Sequence, residues 1–127
     1  MKRLLVLALA GLLPVMASAQ DTEIVSPVVL PDDAQKCMLP ASPDAIPEDA
    51  TLDQLKAAKA DVAAFQEKIG VFRQCLDEAN ADPDLTDGNK QAIVESYNYS
   101  VEMEERVANR FNEAVRAYKE RKAAAEG

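Results

Sequence analysis

The sequence predicts an all-α fold: an antiparallel, coiled-coil-like two-helix hairpin, with an extended proline-rich N-terminal segment tied back to it by one disulfide. Three observations predict it. Apolar residues recur at alternating steps of three and four through two long stretches, and the only proline after Pro47, Pro83, falls between them. A short run of turn-forming residues, Asn80-Ala81-Asp82-Pro83-Asp84-Leu85, joins the stretches. The two cysteines, Cys37 and Cys75, lie one before the first stretch and one near its end.

The chain opens with Met1-Lys2-Arg3, an apolar run from Leu4 to Leu13, Pro14, and the small residues Ala17-Ser18-Ala19. This reads as a secretory signal peptide over residues 1–19, cleaved after Ala19. A membrane-spanning helix needs about 20 apolar residues, and Pro14 interrupts the run before that length is reached. The expected destination is the periplasm, with no membrane insertion after cleavage. Losing Lys2 and Arg3 with the leader makes a chain of formal charge −8 more acidic still. Such a surface repels phosphate backbones and anionic lipids, so nucleic acid is not an expected partner.

Residues 20–36 read as a flexible arm and 37–50 as an extended segment, because Pro27, Pro31, Pro40, Pro43 and Pro47 exclude a helix through the span. Helix 1, about 52–79, starts at Thr51, which forms a capping box with Gln54. Its inner face is Leu55, Ala58, Val62, Phe65, Ile69, Phe72, Leu76 and Ala79, with Gly70 facing outward. Thr86 or Asp84 caps helix 2, about 87–122. Val94, Tyr97, Val101, Glu104, Ala108, Phe111, Val115 and Tyr118 mark its inner face, widened by Ile93, Val107 and Ala114. The connection is short, so the helices are antiparallel neighbours and the hairpin unit spans 51–123.

In an oxidising compartment two cysteines are expected to pair, with an intermolecular bridge as the competing arrangement. If Cys37 bonds Cys75, the segment 37–50 must cover the roughly 36 Å of helix between Thr51 and Cys75 at 1.5 Å per residue. That requires a nearly fully drawn-out chain, close to polyproline II, which suits its prolines. Two helices bury one face each, so the disulfide carries a large share of stability. A homodimer is a second route to burial.

Candidate site residues are few. Asp82, Asp84 and Asp87 beside Gly88 suggest a calcium loop, but a helix-loop-helix calcium site wants glycine sixth and glutamate twelfth, where this chain has Asp87 and Ile93. A polar turn ahead of a helix N-terminus accounts for the same residues. Glu104 interrupts the apolar face; pairing the helices outward from the turn places it opposite Val62, within reach of Lys59 at the seam edge. Tyr99 lies off the predicted core face and is a candidate partner contact. So are Arg116 and Lys119 in the basic end of helix 2, where residues 106–122 hold six basic and two acidic side chains. The chain has no histidine, no nucleophile with a base and no glycine-rich phosphate loop, so no enzyme and no cofactor are expected.

Taken together, Cys37-x-x-Pro40, Cys75-Leu76, Tyr97-Asn98, Val101-Glu102-x-Glu104, Val107-Ala108, Phe111-Asn112 and Arg116-x-Tyr118-Lys119 resemble a group of small exported proteins of proteobacteria. The resemblance covers roughly residues 37–119. It implies a Gram-negative periplasm and lends the disulfide support, and it would make Glu104 and Asn112 family features. The group is uncharacterised, so it implies no activity and no site residues. The leading expectation is a non-catalytic periplasmic protein-interaction or structural module for an envelope protein. A holdase chaperone or envelope-stress factor is the alternative, and a calcium or small-ligand binder the third reading.

Overall fold

The computed structural model describes residues 32–127 and is helical, with no strand among them: α1 (Asp32–Gln35), α2 (Leu52–Asn80) and α3 (Asp87–Glu126). The expected signal peptide (1–19) and residues 20–31 of the expected arm lie outside the described residues. The end of that arm departs from the expectation of a flexible tail. Residues 32–35 form the short α1, and Ala34 is buried in a cluster with Phe72, Leu76 and Ile93. A four-residue helix is too short for any periodicity to announce it.

The boundaries of α2 follow from its ends. Thr51 holds extended backbone, its hydroxyl accepts from the Gln54 amide, and the Gln54 side chain accepts from the Thr51 amide at 2.8 Å. Both halves of the expected capping box therefore form. At α3, Thr86 rather than Asp84 is the cap, its hydroxyl accepting from the Asn89 amide at 3.1 Å. Asp82 caps the turn itself, accepting from the Asp84 amide at 2.9 Å. α3 continues past the expected residue 122 to Glu126, and its 40 residues outrun the 29 of α2.

Together α2 and α3 form a helical hairpin with two apolar clusters. One, near the turn, gathers Ala34, Phe72, Leu76, Ala79, Leu85 and Ile93, with Cys37 and Tyr97 packed against it. The other gathers Phe65, Ile69, Met103 and Val107, with Val62 at its edge. The expected face of α2 is thus the buried one, and Ile69 at its centre is fully enclosed. The face of α3 is rotated from its expected phase. Its buried residues are Gly88, Asn89, Ile93, Ser100, Met103 and Val107, whereas Val94 is half exposed. Ile93 and Val107, expected to widen the face, sit at its centre.

The expected intramolecular disulfide is present: Cys37 and Cys75, 38 residues apart, are bonded with their Cα atoms 5.6 Å apart. No free cysteine is present among the described residues. Between Cys37 and Pro47 the chain forms neither helix nor strand, and it turns at Glu48-Asp49 before α2, closed by the Ala50 amide donating to the Pro47 carbonyl at 3.1 Å. The far end of this segment is held from α3, where Arg121 donates to the carbonyl oxygens of Glu48 and, at 2.8 Å, of Ala50. Among the described residues no helix is long and apolar enough to cross a membrane.

Gly70 is exposed in mid-α2, and a methyl group added there would meet nothing within 4 Å. Its backbone lies at negative φ. Glycine in a helix interior costs about 1 kcal/mol relative to alanine. Gly70→Ala should therefore raise stability by about 0.5–1 kcal/mol, read as a higher urea midpoint at unchanged slope.

Candidate functional site

Two polar features stand out on the helical scaffold: a partly buried network inside the hairpin and an aromatic surface site on α3. The network sits between the two apolar clusters. Arg73 Nε donates to Ser100 Oγ at 2.8 Å, and Ser100, fully buried, donates to the Tyr97 carbonyl at 2.6 Å. Arg73 Nη1 lies 2.8 Å from Glu104 Oε2, and the guanidinium stands 5.6 Å from the centre of the Tyr97 ring. The side chains of Arg73 and Glu104 retain 20% and 28% of their exposure, so the pair is screened less than a surface ion pair. Arg73 Nη2 is buried without a hydrogen-bond partner.

This network corrects the expected partner of Glu104. It pairs with Arg73 rather than Lys59, about three helical turns further along α2 than the residue expected opposite it. Leu85 is buried with Ala79 and Ile93 and the first turn of α3 buries Gly88 and Asn89, so the helices pack from the turn onward, and the long Arg73 and Glu104 side chains reach each other along the seam. Arg73 and Ser100 were not singled out by sequence. The available signal was Glu104 itself, since an acid set into an apolar face asks for a base across the seam.

The surface site centres on Tyr99, which is 49% exposed as expected. The Arg106 guanidinium lies over its ring at 5.7 Å, two helical turns away with the i, i+7 spacing of a single face. Tyr99 stands between two hollows. One, of about 750 Å³, is walled by Leu39, Phe72, Ile93 and Ser96 beside the disulfide. The other, of about 430 Å³, is walled by Ser42, Met103, Arg106 and Asn109. Leu39, exposed at 40%, extends the apolar surface beside it.

The remaining candidates do not join this site. Arg116 lies seventeen residues from Tyr99, roughly 25 Å along α3, in a hollow with Glu48 and Ala117. Its side chain is exposed and approaches Glu120 at 4.0 Å. Lys119 is exposed about 200° around the helix from Tyr99 at 100° per residue. Glu104 is engaged inside the hairpin. The three aspartates of the suggested calcium loop do not converge either. Asp82 holds its own turn, Asp87 approaches Lys90 at 4.0 Å, and among the described residues no three acidic, thiol or imidazole groups are placed to share a metal ion.

No protein-family model, no curated protein and no solved structure matches this chain.

Proposed function

We propose that the protein is a non-catalytic interaction module of the Gram-negative periplasm that offers the Tyr99 face to an envelope protein. The observation that carries this reading is the exposed Tyr99–Arg106 pair set between two hollows and bordered by Leu39. Tyrosine and arginine are the residues most enriched at binding hot spots, and a contact is strongest where hollows exclude water around it. In this reading the coiled-coil-like hairpin is the rigid support. The proline-rich segment runs extended along it, fixed at one end by the disulfide and at the other by Arg121. Arg116 and Lys119 add positive charge at a distance from the contact, where they steer an acidic partner rather than anchor it.

The seam between α2 and α3 is closed, with Phe65, Ile69 and Val107 each at or below 4% exposure. A holdase that clamps clients between its helices needs that surface open, so the closed seam favours the interaction module.

A photo-crosslinking residue at position 99, introduced in the native envelope and compared with one at the exposed Val71, tests the reading. The expected result is one discrete adduct from position 99 and none from position 71. A broad ladder of unfolded envelope proteins would move the assignment to a chaperone, and identical patterns from both positions would remove Tyr99 from any specific interface.

A further inference from the structure

We infer that the hollow between residues 43–47 and the two long helices binds a small zwitterion with an apolar body, the chemical class of a free hydrophobic amino acid. The hollow holds about 190 Å³ and does not include Tyr99, so this inference is independent of the interaction reading. An apolar cavity of about 150 Å³ accepts one benzene ring. The space therefore suits a single leucine- or phenylalanine-sized group.

Its walls are apolar and held in place. Ile46 and Pro47 form one side, Ala57, Ala58 and Val62 of α2 another, and Val107 of α3 the floor, itself 4% exposed. The room exists because α2 carries two alanines in succession where larger side chains would close it. Pro43 and Pro47 each fix their own φ. The segment carrying them is anchored through Cys37–Cys75 before it and through Arg121 after it. A pocket whose walls are fixed in advance loses little entropy on binding.

The rim decides the ligand class. Asp44 from the segment, Asp61 from α2 and Arg110 from α3 all line the hollow, with Gln54 beside them. The three charged side chains make no hydrogen bond or ion pair with one another or with other described residues, although they border one opening. A plain carboxylate entering there meets two like charges, and a plain amine meets the guanidinium. A molecule bearing ammonium and carboxylate on neighbouring atoms offers Arg110 an acceptor and the aspartates a donor together. Its apolar body fills the space below.

Calorimetric titration of the oxidised, exported chain with L-phenylalanine tests the assignment, with phenethylamine and 3-phenylpropionate as singly charged controls. One site is expected for phenylalanine, with both controls weaker by about 10-fold or more, the worth of one charge-assisted hydrogen bond. Ala58→Phe, which fills the hollow, should abolish binding while leaving the melting temperature equal or higher. Arg110→Gln should weaken phenylalanine about 10-fold and leave phenethylamine bound equally or more tightly, since the like charge it meets is gone. No binding of phenylalanine up to about 10 mM overturns the inference. So does undiminished binding by folded Ala58→Phe, and so does a singly charged control that binds as tightly as phenylalanine. If Ala58→Phe does not fold, the Arg110→Gln comparison decides in the same way.

Discussion

Removing the Cys37–Cys75 disulfide, by reduction or by replacing both cysteines with alanine, should cost about 4 kcal/mol of stability, the loop-closure entropy of a 38-residue separation. Few small domains have much more than 5–15 kcal/mol in total. This one also has a thin core: among the described residues, two helices each bury a single stripe, with no third layer beyond α1 and the 37–50 segment. The expected melting-temperature drop is about 15–30 °C at the 4–8 °C per kcal/mol typical of domains this size. Chemical denaturation with and without reductant measures it directly. Hydrogen exchange separates two further outcomes. If the loss is local, amides between residues 37 and 50 gain exchange while those of Ile69 and Met103 stay protected. If the staple holds the whole hairpin, both groups exchange together. A stability change under about 1 kcal/mol would mean that the unfolded chain gains almost no freedom on release, and the closure account would be abandoned.

Local chemistry was the legible part of this sequence. Thr51 and Gln54 announce the start of α2 because a capping box is read from two residues three apart, and both of its hydrogen bonds form. Cys37 and Cys75 were expected to pair from compartment and number, without any knowledge of packing. The inner face of α2 was equally legible, since its apolar residues form one narrow stripe. That of α3 was not, because its apolar residues spread over a wide arc and the phase within that arc is decided by contacts. Ser100 and Asn89 are buried near its centre, and no hydrophobic pattern selects a serine or an asparagine. Ser100 is there because Arg73 needs an acceptor and the Tyr97 carbonyl accepts the hydrogen bond its hydroxyl donates. The pairing register was hidden for a related reason. A turn read only as polar conceals that Leu85 fills the end of the seam against Ala79 and Ile93. Tyr99 was legible as a residue off the core stripe, whereas its partner Arg106 and the hollows on either side depend on where residues 38–42 come to lie.

Glu104→Ala should destabilise the protein by about 2 kcal/mol, more than an exposed ion pair contributes and less than a fully buried one. The intermediate size follows from the geometry. Glu104 keeps 28% and Arg73 20% of side-chain exposure, so water screens the pair in part, while Arg73 Nη2 is already buried without a partner. Deleting Glu104 leaves a guanidinium whose remaining side-chain bond is to Ser100. Arg73→Met removes the charge and keeps an apolar stem across the seam, so the double variant Arg73→Met/Glu104→Ala should regain part of the loss. A double-mutant cycle by urea denaturation should give a coupling of about 1–2 kcal/mol. A coupling near zero would show that the two side chains are independent in solution. The network also lies between the Phe72–Leu76–Ile93 cluster and the Phe65–Ile69–Met103–Val107 cluster, where a polar layer opposes sliding of one helix along the other. Sliding by one helical turn would set Ser96 and Ser100, or Glu104 and Ala108, where Ser100 and Glu104 now stand, so the present pair of Arg73 bonds would not survive intact. The double variant is therefore expected to keep much of its stability and lose uniqueness, seen as doubled or broadened amide signals from Ile69, Met103 and Val107. A single sharp set of signals would assign the register to the disulfide and Leu85, with Arg73 contributing stability alone.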